Sequence, residues 1–163
     1  MTNFERMIAL AEEVFNAKAD DNQIDVDENV LTRLAQIHPA TVGEFDDGKG
    51  PVAWVILIPT TTSLMNMFLK KEISEKELYE LTPIGSKYDA IYLCSAMVLP
   101  EYRRQGVARR LALNAISEIK KDHNIISLFT WPFTEEGRLA AENLANESSL
   151  PLYEFRNPEA NDD

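Results

Sequence analysis

The sequence predicts a single α/β domain, and three observations carry that expectation. The length of 163 residues suits one hydrophobic core and crowds two. Helix-period and strand-period segments alternate along the chain. One run, Ala90 to Leu99, is apolar on both alternating faces, the pattern of a strand covered on both sides of a sheet. Hydrophobic residues make up 45% and charged residues 26% of the chain, so a core can form without disulfides or metal. No repeat, linker or low-complexity block divides it. The domain is expected over residues 1–156, followed by a polar tail over 157–163.

Taken in order, Phe4, Met7, Ile8, Ala11, Val14 and Phe15 recur at helical spacing and predict an amphipathic helix within the first twenty residues, these side chains facing the core. Asp20, Asp21, Asp25, Asp27 and Glu28 form an acidic stretch whose last members favour the positive start of a second helix. That helix would carry Val30, Leu31, Leu34 and Ile37 on one face and stop at His38-Pro39. Thr41–Phe45, an Asp-Gly turn and Pro51–Ile58 then predict a β-hairpin. Gly43, Gly48 and Lys49 match the opening of a phosphate-binding P-loop, but Gly50 stands where Ser or Thr is required. Glu44, Asp46 and Asp47 would repel a phosphate there, and a strand follows in place of a helix.

Between Thr60 and Lys87 the chain makes a helical excursion. Leu64, Met65, Met67, Phe68 and Leu69 form its apolar part, and Ser74 with Glu77 makes a capping box for a short helix reaching Leu81. Met65, Met67 and Phe68 are read as an acceptor lid or a dimer contact, because methionine-rich faces adapt to partners; packing on the sheet is the alternative. After the buried strand, Val107, Leu111, Ala115, Ile116 and Ile119 predict a helix ending near Asp122. A strand at Ile125–Thr130, a helix from about Thr134 to Asn146 and a short strand at Leu152–Phe155 complete the order.

Lys plus Arg number 16 against 27 Asp plus Glu, a net charge of −11 that disfavours nucleic acid and anionic membrane as partners. Yet Arg103, Arg104, Arg109 and Arg110 fall close together, and a local basic cluster in an acidic chain suggests one specific anion. Cys94 is the single cysteine, which excludes an internal disulfide and a multi-cysteine metal site and suits a reducing compartment. His38 and His123 are the only histidines, so no metal is expected. His123 follows Lys120 and Lys121 at a helix end, where a cation suits the dipole. Glu5, Arg6, Glu12 and Glu13 do not make a signal peptide, and Val52–Ile58, the longest apolar run, is too short to span a bilayer; a cytoplasmic protein is expected.

The informative passage runs from Ile91 to Leu111. A buried strand passes through a short polar turn directly into a helix, with Gly106 and Ala108 at the helix start. The first N–H groups of such a helix lack intrahelical partners, and its dipole favours negative charge there. Gly106 lets an anion approach the backbone, and the arginines add charge-assisted donors suited to phosphate. A diphosphate is the natural guest.

Arg103-x-x-Gly106-x-Ala108, after Met97-Val98-Leu99-Pro100 and before an amphipathic helix, resembles the acetyl-CoA-binding motif of the GNAT superfamily of N-acetyltransferases. The order of elements agrees over nearly the whole chain. The resemblance implies a mixed central sheet flanked by helices and transfer of an acetyl group from acetyl-CoA to a primary amine of a small molecule or peptide. Arg103 would be a motif position, while the backbone from Arg104, Gln105, Gly106, Val107 and Ala108 to Arg109 would cradle the pyrophosphate. The Arg104 or Arg109 side chains would reach toward the phosphates, with Arg110 on the exposed helix face. The backbone of Met97 and Val98 would bond the pantetheine arm, since the family splays this strand from the next, and Trp131 and Pro132 would lie near the thioester.

The acid and base transfer less well. Direct transfer requires a group that takes a proton from the amine and one that protonates the leaving thiolate. The tyrosine that many relatives keep after the following strand is missing here, and the place of an early-strand glutamate in histone-directed relatives falls at about Tyr92. Tyr92, Ser95 and Tyr153 remain as catalytic candidates, with Cys94 and Glu135 behind them. Each also has a plain reading: Tyr92 and Cys94 as core, Ser95 as a satisfied strand hydroxyl, Tyr153 as an edge aromatic and Glu135 as a helix-start acid. The acidic balance leans toward a cationic acceptor and admits a homodimer. The rival readings are an acyl-CoA-binding module without catalysis and, more remotely, a nucleic-acid binder using the arginine cluster.

Overall fold

The structure is a computed structural model that describes residues 1–18, 28–132 and 134–155, the side chains of residues 14–18 excepted. Its elements are α1 (Asn3–Lys18), α2 (Glu28–Ile37), β1 (Val42–Asp46), β2 (Pro51–Thr60), α3 (Thr62–Leu69), α4 (Glu75–Leu81) and β3 (Ala90–Val98). After a 3-10 turn at Pro100–Tyr102 come α5 (Val107–Asp122), β4 (Ser127–Thr130), α6 (Glu135–Ser148) and β5 (Leu152–Glu154). The strands form one sheet in the order β1-β2-β3-β4-β5. β2 runs antiparallel to both β1 and β3, and β4 and β5 join in parallel. Each parallel step needs a crossover, which α5 and α6 supply. The mixed central sheet flanked by helices is therefore what the chain forms. The acidic stretch at 20–27 and the polar tail lie outside the described residues.

Register fixes the two sheet faces. Glu44, Trp54 and Met97 lie in line on one face with Ile58 and Tyr92, whereas Gly43, Val55 and Ala96 line the other. α5 covers the second face: a Cβ on Gly43 would stand 2.9 Å from Val55 Cγ2, which would have to give way, and in ordinary contact at 3.7 Å with Leu111 Cβ of the helix. On the first face α1 covers the end of β2 and β3, where Met7, Val52, Met97 and Leu99 form a small core of their own.

Several expectations change. Met7 is fully buried but Phe4 and Ile8 are exposed, Phe4 resting edge-on against Trp54 with ring centres 6.3 Å apart. α1 lies over the sheet's end, so a narrower stripe suffices to dock it. Met65 and Phe68 are buried on the sheet instead of forming a lid or dimer contact. Phe68 packs against Tyr92 at 5.3 Å, Phe129 at 5.9 Å and Phe155 at 4.7 Å. Thr61 and Ser74 cap α3 and α4, and the Ser74–Glu77 capping box is present.

His123 is not the helix-end cation expected. Its Nδ1 accepts the Tyr88 N–H at 3.3 Å, and burial, with His38 nearby, holds its pKa below the ordinary value. His38 Nδ1 accepts the Ala40 N–H at 3.0 Å, which leaves Nε2 to donate to Asp122 at 2.8 Å and tie α2 to the end of α5. The glycine-rich hairpin turn holds its own anions: Asp46 accepts the N–H groups of Gly48 and Gly50 at 2.7 and 3.1 Å, and Asp47 accepts that of Lys49 at 2.8 Å. No helix among the described residues is long and apolar enough to cross a membrane.

Candidate functional site

β3 pairs with β4 only from Ala90 to Leu93, opposite Ser127 to Thr130. β4 ends there at Trp131-Pro132, and Pro132 has no N–H to continue a ladder. Thr130 Oγ1 donates to the Leu93 carbonyl at 3.2 Å and closes the paired part. Beyond it, Cys94 to Val98 continue along β2 with no β4 partner, so the sheet splits. The β2–β3 register shifts beside Cys94, where Ile56 pairs with Ser95 but Leu57 pairs with Leu93. Such a bulge bends the strand and re-aims its side chains.

The direction of the backbone groups follows from the ladder. The Leu99 N–H donates to the Val52 carbonyl at 2.9 Å. By the alternation of an antiparallel pair, Met97 then faces Trp54, while the N–H and C=O groups of Ala96 and Val98 point into the split. Met97, expected to lend its backbone to the arm, has a buried side chain and peptide groups turned to β2, whereas Ala96 is exposed and turns its own into the split. Val98 keeps its N–H toward the split, while its carbonyl accepts the Arg103 Nε–H at 3.0 Å.

At the mouth of the split lies the start of α5. Arg104 and Gly106 have φ of 63° and 75°, left-handed values that cost a glycine little. No side chain caps the helix at Gly106, and its carbonyl accepts the Arg110 N–H at 3.0 Å as the helix begins. The amides of Val107, Ala108 and Arg109 precede it and carry the positive end of the helix dipole. Such a helix start suits an anion.

Side chains fix this turn from below. Glu101 binds Arg6 of α1 through two bonds of 2.5 and 2.7 Å, and Gln105 Nε2 donates to the Glu101 carbonyl at 2.9 Å. Tyr102 donates to Asp47 of the hairpin at 2.6 Å. Arg110, expected on the exposed helix face, also curls back to donate to the Gln105 carbonyl at 2.9 Å. Arg109, expected to reach phosphate, pairs with Glu147 of α6, which raises its pKa and lowers that of Glu147. Arg104 is exposed and makes no hydrogen bond or ion pair among the described residues, so its guanidinium is available to an anion.

The acid and base candidates are dispersed. Tyr153 is 47% exposed on the edge strand β5. Ser95 is half-buried beside the bulge and has no hydrogen bond among the described residues, so the satisfied strand hydroxyl does not hold. Cys94 is half-buried at the bulge. Glu135 opens α6 and pairs with Arg138, as a helix-start acid does. Tyr92 is buried at the closed end of the split, its hydroxyl on the carboxylate of Glu75, and burial drives its pKa well up. Sequence reading missed three residues. Ala96 needed the β2 register, Glu147 needed the approach of α6 to α5, and Glu75 looked like one more acid at a helix start.

A sheet split beside an uncapped helix start is a geometry suited to an extended, anion-headed ligand along a strand edge. The model of the acetyltransferase (GNAT) family matches residues 8–154, and the chain belongs to that family. A sequence comparison with curated proteins gives no match. Among solved structures, the chain is similar to an aminoglycoside acetyltransferase from an uncultured soil metagenomic sample, in complex with trehalose. The identity is 15%, the TM-score 0.49, and the match covers 98% of this chain and 82% of that one. It is similar also to Chaetomium thermophilum Naa20 in complex with a bisubstrate analogue, at 13% identity and TM-score 0.47, covering 85% of this chain and 63% of that one. AtaT complexed with acetyl-methionyl-tRNAfMet matches at 15% identity and TM-score 0.40, covering 77% and 80%. Among the described residues no group of histidine, cysteine, aspartate and glutamate is placed to hold a metal ion.

Proposed function

We propose that the protein transfers an acetyl group from acetyl-CoA directly to a primary amine. The observation that carries this reading is the split between β3 and β4 ending at the uncapped start of α5. The pyrophosphate is read onto the amides from Gln105 to Arg109, where Gly106 leaves the backbone open, with Arg104 adding a charge-assisted contact. The pantetheine amides are read onto the peptide groups of Ala96 and the N–H of Val98, in the manner of an added strand. Acetyl-CoA supplies an activated acetyl group, and Trp131, half-buried where β4 stops, stands beside the place where its thioester would emerge. Arg103 and Arg110 shape the cradle through the Val98 and Gln105 carbonyls instead of by direct contact.

The acceptor is read as a cationic amine, a polyamine, an amino sugar or a lysine side chain, from the −11 net charge of the chain. Ser95, beside the bulge and with no hydrogen bond among the described residues, stands closer to the split than Tyr153 on the edge strand. The alternative is an acyl-CoA-binding module of the same fold, which the missing family tyrosine favours. Calorimetric titration with acetyl-CoA followed by thiol release across a panel of amines separates the two. Binding with turnover is expected; binding with no turnover on any amine supports the module, and no binding overturns both.

A further inference from the structure

We propose that Tyr92 and Glu75 form the proton relay of the transfer, Tyr92 exchanging the proton with the acceptor amine at the closed end of the split and Glu75 holding it. The inference rests on the acetyl-transfer reading above. Glu75 opens α4 yet is only 1% exposed, and carboxylates are almost never buried unless paired. Serving the helix dipole does not require burial, and the capping box of α4 is already completed by Glu77. The Tyr92 hydroxyl donates to Glu75 Oε2, which ties the excursion between β2 and β3 to the strand that splits.

The position of Tyr92 fits the task. It precedes Leu93, the last β3 residue paired with β4, and so stands one residue from the point where the split closes. Phe68 and Phe129 enclose the ring at 5.3 and 5.1 Å, and Phe68 carries the same cluster on to Trp131 at 6.3 Å. Burial and the nearby Glu75 carboxylate keep the phenol protonated, so it hands a proton on without itself persisting as an anion. Acids around the cradle are unsuited to the same work. Glu101, Glu147 and Glu135 are each held in an ion pair with Arg6, Arg109 and Arg138, which lowers their pKa and makes them weak bases.

The step balances. The ammonium of the acceptor first gives one proton to solvent; as the neutral nitrogen then bonds to the acetyl carbonyl carbon, its next proton moves to Tyr92 Oη while the Tyr92 proton moves to Glu75. The carbon–sulfur bond breaks, and the proton returns from Glu75 through Tyr92 to the departing thiolate. The amine has lost one proton, the thiol has gained it, and the pair ends as it began. Glu75 acts only through Tyr92 and is a positioning residue.

The test uses the full chain with Tyr92→Phe, which keeps the ring, together with Glu75→Gln and Glu75→Asp. Acetyl-CoA affinity is read by calorimetry, and thiol release with the best wild-type amine is followed across pH. Removal of general acid–base catalysis predicts that Tyr92→Phe and Glu75→Gln bind acetyl-CoA as the wild type does, lose about 100-fold in kcat/KM and flatten the acid limb of the pH profile. Glu75→Asp should restore part of both. Retained kcat/KM, or a loss that follows Tm while the residual activity keeps the wild-type pH profile, overturns the relay and leaves the transfer reading standing. A wild type that binds no acetyl-CoA or releases no thiol overturns the transfer reading and the relay with it.

Discussion

Gly106 concentrates the residue-scale argument, because two demands meet there. Its φ of 75° is left-handed, and a Cβ would come 3.2 Å from Arg110 Nη1, the movable end of a side chain. Gly106→Ala therefore faces backbone strain more than a clash and should lose about 1–2 kcal/mol of stability in chemical denaturation. Gly106→Glu carries the same strain and adds a carboxylate where a diphosphate is read. Calorimetry should find acetyl-CoA binding abolished in Gly106→Glu but retained within about tenfold in Gly106→Ala, one decade being about 1.4 kcal/mol. Undiminished affinity in Gly106→Glu would remove the cradle from these amides. Gly106 was legible because strand, turn and helix start follow one another in sequence. Roles set by distant partners were not: Arg109 meets Glu147 across 38 positions and Tyr92 meets Glu75 across 17, and no local period records either.

At the scale of elements, the boundary of the split shows what a pattern can and cannot carry. The apolar run of β3 reads as covered on both faces, and Ala90, Ile91 and Tyr92 are indeed buried. From Cys94 onward the strand opens, because β4 stops at Thr130. Hydrophobic alternation reports which faces are covered, but the length of a neighbouring strand lies in another segment. The Trp131-Pro132 break was the visible trace of that length. α1 gives the converse case, where Phe4 and Ile8 of the expected stripe stay exposed while Met7 docks, and the side chains of Val14 and Phe15 lie outside the described residues. Its attachment depends also on Arg6, whose guanidinium bonds hold the Glu101 carboxyl down from 4.5 to about 2. A depressed carboxyl stabilises the fold above its unfolded pKa and loses that contribution as pH falls toward the folded value. The Tm of the wild type should therefore exceed that of Glu101→Gln at neutral pH, and the gap should close between about pH 4.5 and about 2. Because the pair is exposed, added salt should narrow it as well. A gap constant across pH would mean that Glu101 acts through packing alone.

For the whole molecule, the issue is how a chain of net charge −11 accepts an anion. At about 0.15 M salt the Debye length is about 8 Å, so most of the acidic surface is screened from the cradle, while the helix-start amides and Arg104 act at contact distance. A long polyanion must lie across the acidic surface and gains little from one such point; acetyl-CoA, on the proposed reading, would enter the split and place its phosphates at the cradle alone. A ligand that binds only the folded chain adds about 2.7 kcal/mol of stability at one hundred times its Kd. For a chain of this size, at roughly 2–4 °C per kcal/mol, that is a rise in Tm of roughly 5–11 °C. A thermal scan at physiological salt should show this rise with acetyl-CoA and none with Gly106→Glu. Duplex or single-stranded oligonucleotide at the same phosphate concentration should leave Tm unchanged. An oligonucleotide shift as large as that of acetyl-CoA would mean that Arg104 and its neighbours read a backbone of phosphates, and the diphosphate assignment would fall with the acidic-surface argument that excluded nucleic acid.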